Sequence, residues 1–199
     1  MPPISPMKDG ATGKIVKSAT LTPLRTLELN EVYQLITANK RLITLTQAIR
    51  EAALQGDDNN CRMLKQQTLP YVTPCGVFTR RRSDCLKLPS GLVVDVDHLD
   101  SPDEAGRLKQ LLFKDPYLAP VLVFISPTGR GVKAFVPCPI GKDSTEAVRW
   151  AMNYVHCMYD AENTQPGKGV DTSGKDLVRA CFLCHDPKAL LRKVVNFEL

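Results

Sequence analysis

The residues with the clearest chemical content are Asp95 and Asp97, which close the apolar run Gly91-Leu-Val-Val-Asp-Val-Asp97. Side chains alternate between faces along a strand at about 3.3 Å per residue, so two carboxylates in this spacing share one face, roughly 6–7 Å apart, while Val94 and Val96 take the other. Nothing cationic stands beside them in sequence, so their charges repel, and a divalent ion held by both removes the repulsion. The pair is open to several readings: ordinary surface acids at a strand end, a metal site, a phosphohydrolase of the haloacid dehalogenase type, or a glycosyltransferase that holds a metal and a nucleotide sugar. The dehalogenase pattern expects Thr or Val shortly after the second Asp, and here His98-Leu99 follows.

Three further segments carry reactive or charged groups. Ile125-Ser-Pro-Thr-Gly-Arg-Gly-Val-Lys-Ala-Phe135 is a polar turn between two apolar runs. Gly129 and Gly131 allow a tight backbone path that brings N–H groups near a ligand, and Ser126, Thr128, Arg130 and Lys133 add donors or positive charge, a set suited to polyphosphate. A plain hairpin turn is the competing reading. Gly169-Val-Asp-Thr-Ser-Gly-Lys-Asp176 nearly spells the phosphate-binding pattern G-x-x-x-x-G-K-[ST], but Asp176 stands where the metal-binding hydroxyl belongs and a strand-like run follows. What remains is Asp171 in a turn and Arg179 beyond it. Cys181-Phe-Leu-Cys184-His185 matches the C-x-x-C-H haem-attachment pattern, which requires export, and zinc would need distant ligands such as His156 and Cys157.

These segments need elements to hold them. Residues 1–26 contain four prolines and no apolar periodicity, which predicts a disordered tail. Helical spacing over 27–56 predicts two short helices broken near Asn39, and a third follows over about 60–67, ending before Leu69-Pro70. Beyond Gly76 the pattern turns to strands over 91–97, 121–126, 132–136 and about 178–184. Between them, Ser101-Pro-Asp-Glu104 and Asp143-Ser-Thr-Glu146 each open a helix with a capping side chain and a Glu three residues on. Strands interleaved with helices indicate an α/β or α+β sheet layered with helices.

The 199 residues suffice for one ordinary core, and 43% hydrophobic with 24% charged residues is globular composition. No apolar run reaches the roughly 18 residues of a membrane span, and the first residues have no signal-like apolar core, so the expected location is the cytoplasm, without a membrane partner. Seven cysteines at irregular spacing are then reduced thiols, most of them core residues. The net charge of +5 is unevenly placed: residues 1–88 carry +6 and residues 89–199 carry −1. Arg80, Arg81 and Arg82 are the densest point, fit either to neutralise nucleic-acid phosphates or to lie solvated in a turn.

Taken in order, Leu69-Pro-Tyr-Val-Thr73, Gly76-Val-Phe78, the 90–99 run with its Asp-x-Asp, the 125–133 turn, and Val170-Asp171 through Arg179 to His185-Asp-Pro187 resemble the VirE N-terminal domain family of bacterial mobile elements. The resemblance spans about residues 28–190. That family is a divergent branch of the archaeo-eukaryotic primase superfamily. The resemblance implies an α+β fold, a primase-polymerase-like mixed sheet with packed helices. It also implies a single domain over 27–199, helical over 27–68 and catalytic over 69–199.

Carried over residue by residue, Asp95, Asp97 and Asp171 become the catalytic and metal-holding acids, expected to bind two ions, Mg²⁺ or Mn²⁺. Ser126, Thr128, Gly129, Arg130, Gly131, Lys133 and Arg179 become nucleotide-binding residues, with Lys133 where many primases have His. Arg80, Arg81 and Arg82 are assigned to the template by charge alone. The implied function is a nucleotidyltransferase that uses NTP or dNTP to make or extend a primer on single-stranded DNA during mobile-element replication. The alternative is a catalytically inactive module that binds single-stranded nucleic acid and works with a helicase-type ATPase. A template-independent phosphohydrolase is a third possibility.

Overall fold

The computed structural model describes residues 5–7, 22–139, 143–160, 167–171 and 177–192. A short strand, β1 (Ser5–Met7), lies within the stretch read as a tail and pairs with residues 71–73. Three helices follow: α1 (Leu29–Ala38), α2 (Lys40–Leu54) and α3 (Asp58–Thr68). Asn39 separates the first two because its side chain accepts the Leu42 N–H at 3.1 Å, starting a new helix instead of continuing the old one. Asp57 caps α3 in the same way through the Asn60 N–H at 3.0 Å.

The chain then forms β2 (Tyr71–Thr73), β3 (Gly76–Phe78), β4 (Leu86–Pro89) and β5 (Gly91–Asp97), followed by α4 (Pro102–Lys114). Next come the hairpin β6 (Leu122–Ile125) and β7 (Val132–Pro137), then α5 (Ser144–Tyr159). The short strands β8 (Gly169–Val170), β9 (Cys181–Phe182) and β10 (Leu190–Leu191) complete the order. Both predicted caps act: Ser101 accepts from the Glu104 N–H, and Asp143 from those of Thr145 and Glu146.

This is an α+β fold. Its central sheet has the order β10-β6-β7-β5-β8, with smaller sheets β1-β2-β9 and β3-β4. The expected mixed sheet is corrected in one respect: every ladder among the described residues is antiparallel. Local apolar runs carry strand character but no pairing direction; short links set it only for β6–β7 and β3–β4, while β5, β8 and β10 find their neighbours across long stretches of chain. The last predicted strand, about 178–184, shrinks to Cys181–Phe182, because only Tyr71 and Val72 are opposite it.

Alternation in the central strands divides the protein into two cores. Leu92, Val94 and Val96 of β5, with Val132, Ala134 and Val136 of β7, pack against Leu108 and Leu112 of α4 and Val148, Met152 and Val155 of α5. Val93, Phe124 and Phe135 on the opposite face pack against Val32 and Ile36 of α1, Ile49 of α2, and Cys181 and Leu183. Phe124 and Phe135 meet edge to face at 5.8 Å, and burying each stabilises the fold by roughly 1.5–3 kcal/mol. The second face does not stay apolar: toward the end of β5 it passes from Val93 to Asp95 and Asp97.

Candidate functional site

The site follows from strand register. Asp95 on β5 lies opposite Lys133 on β7, and Asp97 lies opposite Gly169 on β8. The Asp171 N–H donates to the Asp95 carbonyl at 2.9 Å, extending that ladder by one residue. Since Val170 belongs to the α4/α5 core, Asp171 turns to the opposite face and joins Asp95 and Asp97. Carboxylate oxygens from the three acids lie within 4.8 Å of one another, and they form the one such cluster of potential metal ligands among the described residues.

The surroundings are charged and run from buried at Asp95 and Lys133 to half-buried at Asp97 and Asp171. Asp95 is 5% exposed and Lys133 7%. Lys133 Nζ donates to Asp95 Oδ2, and Arg179 Nη2 donates to Asp171 Oδ2 and, at 3.4 Å, to Asp95 Oδ2. The remaining Asp95 oxygen, Oδ1, is buried and has no hydrogen-bond partner. Burial, and then the neighbouring Asp95 charge, pushes the Asp97 carboxyl above its ordinary range. Burial alone would lower Lys133, but Asp95 and Asp97 outweigh it and hold the ammonium charged; Asp95 and Asp171 do the same for Arg179. Three carboxylates thus share two cations, and the crowding of like charge falls on Asp97.

A buried carboxylate oxygen without a donor, next to two more carboxylates, fits a hard divalent cation, which takes oxygen ligands. Asp95, Asp97 and Asp171 would hold it. When bound, Mg²⁺ or Mn²⁺ would supply Lewis acidity toward phosphate oxygens and lower the pKa of a coordinated hydroxyl or water.

The 126–131 turn lies directly against this site. Ser126 is buried; its N–H donates to the Gly131 carbonyl at 2.8 Å and its hydroxyl lies 3.3 Å from that of Thr128. Gly131 is required by space. A Cβ there would come within 2.5 Å of the Val96 carbonyl, 2.7 Å of Asp97 Oδ1 and 2.8 Å of Ser126 Oγ. Gly129 supplies the left-handed backbone of the turn, with φ +81°.

Arg130 does not reach the acids through any hydrogen bond or ion pair of the described residues. Its Nε donates to the Leu99 carbonyl at 2.7 Å, and its own carbonyl accepts the Leu99 N–H at 2.9 Å. This clamp holds the chain just after Asp97, where His98 sits at φ 57°, a conformation unfavourable for a side-chain-bearing residue. Lys133 and Arg179, assigned to nucleotide by the resemblance, lie on the acids themselves.

The arginine run is divided by its contacts. Arg81 donates to the Val178 carbonyl at 2.8 Å and lies over the Tyr71 ring, 5.4 Å from its centroid. Arg82 pairs with Asp84 at 2.7 Å, and Arg80 is exposed. Asp84 thus offsets one of the three charges, while the contacts of Arg81 fix its direction. Residues 172–176 of the glycine-lysine segment lie outside the described residues.

The cysteine-histidine motif is a core feature. Cys181 and Cys184 are buried free thiols, each pushed up by burial to about 12, so both stay protonated. His185 Nδ1 is 3.0 Å from the Ile36 carbonyl. Local motifs missed Lys109 and Asp186, a buried ion pair at 3.0 Å, and Arg50, whose Nη2 donates to the His185 carbonyl at 3.2 Å. Their partners are 77 and 135 residues away in sequence, beyond any local signal.

No helix of the described residues is long and apolar enough to cross a membrane. Among curated proteins and solved structures, none matches the chain significantly. Residues 63–191 match the family described as BT4734-like, N-terminal domain. This stretch runs from α3 to β10 and holds all three acids, the 126–131 turn, Lys133 and Arg179. It covers more than half of the chain, which therefore belongs to the BT4734-like N-terminal domain family.

Proposed function

We propose that this domain is a divalent-metal-dependent nucleotidyltransferase of the primase-polymerase type, making or extending a primer on single-stranded DNA from NTP or dNTP during mobile-element replication. The observation that carries the reading is the convergence of Asp95, Asp97 and Asp171 around a buried, unpartnered carboxylate oxygen. Support also comes from the resemblance of its ordered motifs to the VirE N-terminal domains, to which the BT4734-like family is related.

In this reading the chain's own residues divide the work. Asp95, Asp97 and Asp171 hold Mg²⁺ or Mn²⁺. Lys133 and Arg179, both kept protonated by the acids, supply fixed positive charge for phosphate oxygens in a partly buried site, where such charge acts more strongly than in bulk water. Ser126 and Gly131 hold the β6–β7 turn close against Asp97, leaving no room there for a side chain.

The test is incorporation of labelled NTP or dNTP on single-stranded DNA, with and without a primer, in Mg²⁺ and in Mn²⁺. Template-dependent product from the wild type and none from Asp95→Ala/Asp97→Ala is the expected result. Product formed equally by the double variant sinks the reading.

One observation favours a second reading, a catalytically inactive module that binds single-stranded nucleic acid beside a helicase-type ATPase. Lys133 and Arg179 already neutralise much of the acidic charge, as a purely structural ion network would. Retention of template without incorporation in either metal selects this alternative.

A further inference from the structure

The β6–β7 turn faces a second space. Between it, α2, α4 and residues 186–188 lies a cleft of about 650 Å³, whose lining includes none of Asp95, Asp97 and Asp171. Clefts of this size hold nucleotide-sized ligands. Ala53, Ile125 and Pro187 give part of the wall an apolar character.

The charges of this cleft do not cancel. Of its two acids, Asp186 is paired with Lys109 at 3.0 Å and Asp100 with Lys168 at 2.7 Å. Arg50, Arg130 and Lys188 also line it, and none of them belongs to an ion pair among the described residues. The hydrogen bonds of Arg50 and Arg130 go to carbonyls, which leave the positive charge in place.

Arg50 carries a second signal. Its Nε is buried and has no hydrogen-bond partner. The side chain lies over Gly129, where a Cβ would come within 3.6 Å of that Nε. The Nε is therefore closed off against the β6–β7 turn, which fixes the direction of the guanidinium that lines the cleft. Arg50 also comes from α2, upstream of the residues matched to the family, so this cleft is completed by a part of the chain outside that match.

We propose that this cleft binds a nucleotide, with Arg50, Arg130 and Lys188 taking the phosphate and the apolar wall taking the base. The choice of a nucleotide over other phosphate esters rests on the function proposed above. The phosphate can come from a free nucleotide or from a nucleotide within single-stranded DNA, and the two sources are separable.

The full chain is titrated at low ionic strength in EDTA, so that no divalent ion bridges ligand and acids. The probes are ATP, a fluorescein-labelled oligothymidylate and inorganic phosphate, followed by calorimetry and fluorescence polarisation. Lys188 is exposed, so Lys188→Glu reverses one cleft charge without opening the core; Arg50→Gln is the second variant. Both are expected to weaken nucleotide binding about tenfold or more, as loss of a charge-assisted hydrogen bond does.

Binding of ATP assigns the site to free nucleotide, and binding of the oligonucleotide alone assigns it to the strand. The proposal is overturned if neither probe binds, if both cleft variants bind like wild type, or if inorganic phosphate binds as tightly as either nucleotide probe. Loss of incorporation activity with cleft binding intact would remove the polymerase reading and leave the cleft; the opposite outcome would do the reverse.

Discussion

Asp186 and Asp95 are both buried carboxylates facing a buried lysine, and they use their oxygens differently. Asp186 Oδ2 accepts from Lys109 Nζ at 3.0 Å and from the Ile125 N–H at 2.9 Å, while Oδ1 accepts the Lys188 N–H at 3.0 Å. Every oxygen has a donor, and three chain segments are tied together. Asp95 directs Lys133 and Arg179 onto Oδ2 alone and leaves Oδ1 bare in the interior, 2 residues from another acid. An ion pair that serves only to hold a fold satisfies its acceptors, as the first does. The second retains an unsatisfied acceptor and crowded like charges, a donor set that suits a cation.

The comparison is broken most severely at the structural pair. Asp186→Ala strands a buried ammonium and removes acceptors from Ile125 and Lys188, so stability in urea unfolding is expected to fall by roughly 3–5 kcal/mol. A loss under 1 kcal/mol would mean that this pair does not tie the segments together.

Gly131→Ala touches the acidic site through sterics alone. The new methyl group must displace the Val96 carbonyl, the Asp97 carboxylate or the Ser126 hydroxyl, at a cost of about 1–3 kcal/mol. Thermal unfolding reads the cost and Mn²⁺ affinity reads the displacement of Asp97; wild-type values in both would show that the turn has slack.

Asp97→Asn sharpens the contrast by reversing the sign. It removes one of the crowded like charges at nearly constant shape, so stability in EDTA is expected to rise by about 0.5–2 kcal/mol while divalent-ion binding is lost. A variant less stable than wild type would place Asp97 with the structural acids.

Asp115 offers a fully satisfied acid at the surface of the α4/α5 core. Burial pushes its pKa up, but the Leu118 N–H, the hydroxyls of Tyr159 and Tyr154, and the Tyr117 N–H outweigh burial and hold it below the ordinary 3.8. A depressed folded value means that this stabilisation is present above 3.8 and lost as pH falls through the lower, folded value. Tyr154→Phe is therefore expected to cost about 1 kcal/mol at pH 7, with the difference from wild type shrinking as unfolding is repeated in acid through that window. A difference independent of pH would contradict the assignment.

Much of this was legible in the chain before folding. Alternation along residues 91–97 placed Asp95 and Asp97 on one face, and capping residues at 101 and 143 marked helix starts, because both depend on neighbours only a few residues apart. Asp171 could be grouped with them only through the ordered motifs of a family, since its position depends on a two-residue ladder between β5 and β8. Lys133 was recognised as a functional cation, but its register opposite Asp95, and hence its ion pair, depends on strand pairing. Arg50 and the Asp186–Lys109 pair were invisible for the same reason. The charge of Arg80–Arg82 was plain, but not that Tyr71 and the Val178 carbonyl hold Arg81 while Asp84 holds Arg82.

The central claim, that the bare oxygen of Asp95 and its two neighbours form a cation site, is tested most directly by titrating the protein with Mn²⁺ and following the free-ion signal by electron paramagnetic resonance. Wild type is predicted to deplete the free signal saturably, Asp97→Asn to leave it undiminished, and Asp186→Asn, where folded, to behave as wild type. Equal depletion by wild type and Asp97→Asn, or none by wild type, would contradict the account.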